Sequence, residues 1–223
     1  MPSTTTPTLL PADDPRALVD DPLAFGVGAR VTLAVMADRY VELITDALAS
    51  ADAGGLVLET GDVSTYAGGT EHDLLRWLTQ LGAAVAASGV HAAMVVHLSR
   101  GCPGEVVCAL PGGAGPRAVE TPGGVRTGHF ATAEWALYPL ADEVTGDVEP
   151  DHMRDIYTAI ARARDNGTFV ASEHFVTRLA GDLGDVLGTV VAGWTGVGRS
   201  VQHVTSHLTV SLNSPSHTAG EVR

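Results

Sequence analysis

The sequence predicts an α+β protein in which one βαββαβ unit is written twice, and three observations carry that expectation. Residues from about 28 to 104 recur in the same order of elements from about 132 to 216. The recurrence holds its register: Ile44/Ile156, Ala47/Ala159, Gly55/Gly167, Thr65/Thr177, Gly69/Gly181, Asp73/Asp185, Leu75/Leu187, His91/His203, Ser99/Ser211 and Pro103/Pro215 all lie 112 residues apart. Within each copy the apolar pattern switches between the two-residue period of a strand and the 3.6-residue period of a helix.

In the first copy RVTLAV is a β-rich run, and DRYVELITDALAS places Tyr40, Ile44, Ala47 and Leu48 at helical spacing until Gly54-Gly55 ends the helix. LVLETG and DVSTYAGG read as two short strands. Thr70, with Asp73 three residues on, is a capped start for a helix through LLRWLTQLGAAVAAS, and HAAMVVHLS closes the unit. The second copy repeats this as TAEWALYPL, DHMRDIYTAIARARDN, TFVASEH, FVTRLAGD, a Gly-interrupted helix from about Leu183, and QHVTSHLTVSL. Upstream, Leu33/Leu137, Ala37/Ala141 and Asp38/Asp142 are only 104 apart, so the second copy carries about eight extra residues near Glu143 to Pro150, between a strand and a helix. This order implies two ferredoxin-like modules with antiparallel sheets, because right-handed crossovers put both helices of a unit on one sheet face.

The expected organisation is a Pro- and Asp-rich flexible tail over 1–22, a first repeat over 23–110, a linker over 111–128, a second repeat over 129–216 and a tail over 217–223. The connection from Gly101 to Gly128 is rich in Gly and Pro, with one candidate strand at EVVCAL. Each module leaves one sheet face without helices, to be covered by the other copy or by a second chain.

Composition narrows the function. The chain has 223 residues and 45% hydrophobic content, enough for a real core. Its 13 Lys+Arg against 26 Asp+Glu give a formal charge of -13, which repels nucleic-acid backbones and anionic membrane surfaces. No basic segment followed by an apolar run opens the chain, and no stretch approaches the roughly 18 apolar residues of a membrane span. The expectation is a cytoplasmic protein without nucleic-acid partner or membrane insertion, with Cys102 and Cys108 as free thiols. Asn166-Gly167-Thr168 then never meets the glycosylation machinery.

Catalytic signatures are missing: no G-x-S-x-G elbow, Walker loop, H-E-x-x-H or dinucleotide fingerprint is present. His203 and His207 share a strand face but stand roughly 13 Å apart on an extended chain, too far for one ion, so solvated or dimer-face histidines are expected and no metal. A non-catalytic protein without cofactor is the expectation.

Strand parity locates candidate site residues, since alternate side chains face opposite ways. Val31, Leu33 and Val35, with Trp135, Leu137 and Pro139, form the apolar row of the first strands. Val63, Thr65 and Ala67, with Phe175, Thr177 and Leu179, form that of the third. Thr65 and Thr177 thus put hydroxyls on the apolar, helix-covered side. Thr60 and Ser172 share a row with Leu58 and Val170, and Ser206 interrupts the series Val204, Leu208 and Val210. A buried hydroxyl left unpaired costs about 1–3 kcal/mol, so each must bond to backbone, water or a ligand. Small-ligand sites combine apolar walls with a few placed polar groups, as these rows do.

The motifs ETGDVSTYAGG, SGVHAAMVVHLSRGCPGE, WALYPLAD, EHFVTRLAGD and HLTVSLNSPS, in this order and spanning nearly everything after about residue 25, resemble the YkoF-related family. That resemblance implies a tandem ACT-like, ferredoxin-like fold that binds thiamin or its hydroxymethylpyrimidine moiety. It implies one pyrimidine-sized pocket per repeat, between sheet and helices, with the third-strand threonine among its lining residues. The candidate lining set is Leu33, Thr60, Thr65, Met94, Trp135, Leu137, Ser172, Thr177 and Ser206. Departures from the family pattern fall in the first copy. Leu33-Ala34-Val35-Met36 stands where the second copy keeps Leu137-Tyr138-Pro139-Leu140, Gly68 replaces an arginine, and Val95 a polar residue. They point to an altered or lost ligand preference in the first pocket. Glu59, Asp62, Glu134 and Glu173 are read as exposed carboxylates, although the acidic balance suits a cationic ligand such as thiamin. The resemblance further implies a homodimer acting in thiamin-precursor uptake or salvage, with a transport system as partner. The alternative is an ACT-like regulatory sensor of an amino acid or other small metabolite.

Overall fold

The computed structural model describes residues 17–102, 115–140 and 152–217. The candidate strand at EVVCAL and the insert at Glu143 to Pro150 lie outside these residues, as does most of the N-terminal tail. The first repeat contains β1 (Gly28–Val35), α2 (Tyr40–Ser50), β2 (Val57–Thr60), β3 (Thr65–Gly68), α3 (Glu71–Ala87) and β4 (Ala92–Arg100). The second contains β5 (Phe130–Leu140), α4 (His152–Asp165), β6 (Phe169–Ser172), β7 (Thr177–Asp182), α5 (Leu183–Val197) and β8 (His203–Leu212). A single turn, α1 (Ala17–Asp20), precedes them. It lies inside the stretch expected to be a flexible tail, and Arg117 holds it by donating to the Val19 carbonyl.

The strands form one antiparallel sheet in the order β2-β3-β1-β4-β8-β5-β7-β6. Each half therefore has its last strand at the inner edge, and the halves join there through nine residue pairs, from Ala92↔Leu212 to Arg100↔Val204. The copies do not cover each other's open faces; they lie side by side. An unpaired edge strand exposes backbone N–H and C=O groups, and β4 and β8 satisfy each other's. Helices α2, α3, α5 and α4 form one layer on the sheet, α3 packing on α5 across the junction.

One row crosses the whole helix side of the sheet. Thr60, Thr65, Val31, Val96, Leu208, Trp135, Thr177 and Ser172 are successive register partners. It is palindromic by repeat position, Thr60 matching Ser172 and Val31 matching Trp135. On the other face Arg30, His97, Glu134 and His207 are exposed among the described residues. His97 and His207 meet there edge to face, ring centroids 6.5 Å apart, and burial, then His207, lowers the His97 pKa. Among the described residues no group of three His, Cys, Asp or Glu is placed to hold a metal ion, and no helix is long and apolar enough to cross a membrane.

Two parity assignments need correction. Val63 and Phe175 are not on strand faces but at the tips of the β2-β3 and β6-β7 hairpins, 79% and 95% exposed, with Phe175 at φ +68°. A bulge at Val170 also shifts β6, so that Phe169, not Val170, sits across from Leu179 on the side of Ser172.

The expected cap on α3 is present: the Asp73 N–H donates to Thr70 Oγ1 at 3.1 Å, and that hydroxyl donates to Asp73 Oδ2 at 2.7 Å. Residues 101 and 213 close the two repeats and both adopt positive φ, 86° for Gly101 and 50° for Asn213. Asn213 Nδ2 donates to the carbonyls of Ala86 and Val90, tying the end of the second repeat to the end of α3. At Gly101 a Cβ would lie 2.0 Å from the Gln202 carbonyl oxygen, so only glycine fits.

Asp182 caps α5 and pins the returning connection, accepting from the N–H groups of Thr127, Gly128 and Gly184 at 2.8, 2.6 and 2.9 Å. Burial pushes its carboxyl upward, but these donors and the Thr127 hydroxyl outweigh burial and hold it below its usual 3.8. A carboxylate with a depressed folded pKa stabilises the fold above its unfolded value, and that contribution disappears as pH falls through the folded value. Asp182→Asn is expected to cost about 1–2 kcal/mol at neutral pH and to flatten the decline in stability below about pH 4. Thermal melts of both proteins between about pH 7 and pH 2 check this.

Candidate functional site

In the first repeat the sheet and helices do not close completely. A cavity of about 150 Å³ lies between β1, the β2-β3 hairpin, α2 and α3. Val31, Leu33, Ile44, Leu48 and Leu81 make its apolar walls, and Thr60, Thr65 and the turn Gly61–Ser64 make its polar end. A cavity of this size accepts one six-membered ring.

The position of each group follows from local structure. Val31 and Leu33 project from β1 toward the helices, with Val31 opposite Thr65 and Thr65 opposite Thr60. Ile44 and Leu48 stand one turn apart on α2, and Leu81 points down from α3. The two threonine hydroxyls are 3.1 Å apart, Thr65 buried and Thr60 exposed. One hydroxyl donates to the other, leaving the pair one hydrogen to donate and free lone pairs to accept. A ring that both accepts at a nitrogen and donates from an amino group can use both.

The same row in the second repeat is arranged differently. Trp135 stands opposite Thr177, as Val31 stands opposite Thr65. Its indole is buried, and Nε1 donates to Ser206 Oγ at 2.8 Å while Ser206 donates to the Ala136 carbonyl at 3.1 Å. Leu137 and Thr177 are buried, and Ser172 is exposed on β6. Met94 is fully buried on β4, with its methyl toward Gly82.

Of the nine candidates, the structure brings Leu33, Thr60 and Thr65 together around one cavity, and joins Trp135 to Ser206 by a hydrogen bond. Val31, Ile44, Leu48, Asp62, Ser64 and Leu81 also line the cavity and were not among the candidates. The signal for the turn residues lay in the motif ETGDVSTYAGG. For Ile44 and Leu48 it lay in their shared helix face, which the packing of α2 on the sheet turns inward.

Sheet, helix layer and half-open cavity define a class of duplicated α+β chains in which a pocket sits between the two layers of a repeat. The model of the YKOF-related Family matches residues 26–105 and 130–217, and the chain belongs to that family. It is also 29% identical over 189 residues to the Bacillus subtilis (strain 168) protein named "Putative HMP/thiamine-binding protein YkoF", covering 85% of this chain and 91% of that protein.

Proposed function

We propose that this chain binds thiamin or hydroxymethylpyrimidine in the first-repeat cavity, without catalysing a reaction on it. The observation that carries the reading is the ring-sized cavity with apolar walls on one side and the paired Thr60 and Thr65 hydroxyls on the other. The name of the Bacillus subtilis relative supports it. Each repeat is read as a ferredoxin-like, ACT-like module. Cytoplasmic delivery of the ligand in thiamin-precursor uptake or salvage, beside a transport system, fits a protein that holds a small ring without transforming it. A homodimer would cover the open sheet face.

Charge sets the expected preference within this ligand class. Among the described residues the one ionisable side chain lining the cavity is Asp62, whose carboxylate attracts a thiazolium cation and repels a phosphate. Thiamin and hydroxymethylpyrimidine are expected to bind at least about tenfold more tightly than their phosphates, the effect of about 1.4 kcal/mol. Titration calorimetry with the four compounds tests both statements. Heat of binding from the unphosphorylated pair is the expected result, and no heat from any of them removes the reading.

A further inference from the structure

The two repeats place different side chains at the same three positions, and the differences fit one another. Val31 of β1 becomes Trp135 of β5, Leu81 of α3 becomes Gly193 of α5, and Met94 of β4 becomes Ser206 of β8. Strand register confirms the first and third correspondences: Val31 pairs with Thr65 and Trp135 with Thr177, while Leu33 pairs with Met94 and Leu137 with Ser206. Val31 and Leu81 are two walls of the first-repeat cavity. In the second repeat the benzo edge of Trp135 runs under Gly193. A Cβ there would lie 2.6 Å from Cη2 and 2.7 Å from Cζ2, so any side chain at 193 would collide with the ring. Ala159 of α4, whose Cβ is 3.2 Å from the same point, closes the other side. The indole N–H, which would cost stability if buried unpaired, is met by Ser206 at 2.8 Å.

A large residue on the strand, the smallest residue on the facing helix and a hydroxyl aimed at the ring nitrogen form a built-in seat for a heteroaromatic ring. We infer that the second repeat carries its own ring in the place where the first repeat takes a ligand, so that the chain binds one ligand, in the first repeat alone. This rests on the ligand reading above. Ser206 and Thr177 are then hydroxyls of a filled core, and Trp135 decides which repeat is open. Val31 and Leu81, not Ala34, Val35, Met36, Gly68 or Val95, line the first cavity, while in the second repeat the indole takes the corresponding place and leaves a smaller groove of about 90 Å³ between α4 and α5, lined by Ala159 and Gly193.

The test exchanges the residues between repeats. Calorimetry with hydroxymethylpyrimidine on the wild-type chain should give one site per chain. The triple variant W135V/G193L/S206M, which installs the first repeat's residues, should give two, and V31W/L81G should abolish binding at the first. Two sites in the wild type, or binding retained by V31W/L81G with a single site in the triple variant, would overturn the inference. Free indole provides a readout independent of the thiamin-related ligands and of the folding of the triple variant. Trp135→Ala should take up one more equivalent of indole than the wild type, with a rise in melting temperature that the wild type does not show. If the wild type ignores hydroxymethylpyrimidine, the ligand reading fails, and the indole result alone then decides whether Trp135 fills a ring-shaped seat: no extra equivalent overturns it.

Discussion

Thr65→Val is expected to weaken binding of hydroxymethylpyrimidine by ten- to a hundredfold, and Thr177→Val to leave it unchanged, although the two residues are repeat equivalents. Valine keeps the shape of threonine and deletes one hydroxyl, so the change isolates a single hydrogen-bonding group. In the first cavity Thr65 is buried beside Thr60, and a ligand seated there loses a partner it cannot replace with water, at about 1–3 kcal/mol. Thr60 is exposed and turns to solvent in the variant, so the fold itself should lose less than about 1 kcal/mol. Thr177 pairs with Trp135 in the row and is not among the residues that line the second-repeat grooves at α4, α5 and the β6-β7 hairpin. Titration of both variants, with melting temperatures as the control for folding, separates a ligand contact from a core hydroxyl.

Glu71→Gln is expected to destabilise the protein by about 3–5 kcal/mol, a large loss for exchanging one oxygen for an NH₂. Glu71 opens α3 and is buried, and its Oε1 lies 3.3 Å from Arg100 Nη1 and 3.4 Å from Arg117 Nε. Arg100 is fully buried at the end of β4, its guanidinium carbon 5.8 Å from the ring centroids of both Phe25 and Trp194, and it donates to the Arg117 carbonyl. Burial pulls its guanidinium pKa down to about 10 against the upward pull of Glu71, with Arg117 and Arg199 adding to the fall. Without the carboxylate, two buried cations face each other with no counter-charge. The melting temperature should drop by roughly 10 °C, given about 2–4 °C per kcal/mol for a chain of this size. The second repeat has Leu183 and Leu212 at the positions of Glu71 and Arg100, so E71L/R100L should recover at least half of the loss. Unfolding curves of the three proteins check both statements.

The repeat register, the element order and the Thr70 cap were legible because each is written locally, in spacing and in capping chemistry. The junction was not. That β4 and β8 pair along nine residues depends on two edges more than 100 residues apart both lacking partners, which no local pattern records. Alternation also continued through residues that turn. Val63 and Phe175 fit a strand period but lie at hairpin tips, and the bulge at Val170 reverses parity within a four-residue strand. The candidate site was legible as hydroxyls on an apolar row, and Thr60 with Thr65 meet at the cavity. What distinguishes the repeats was present in the sequence as Val31/Trp135 and Leu81/Gly193, but only three-dimensional contact shows that the gain of volume on one element matches its loss on the other. Arg100 ends the otherwise apolar row Ala92, Met94, Val96 and Leu98, and its partners come from a helix start and from the connection, neither readable from strand parity.

A crystal structure of the protein grown with hydroxymethylpyrimidine decides where the ligand sits. Electron density for one ring per chain is expected between Leu33, Ile44 and Leu81, within hydrogen-bonding distance of Thr65, with the Trp135 indole unmoved. Ligand density beside Thr177 with Trp135 displaced, or at a surface away from both repeats, would contradict it.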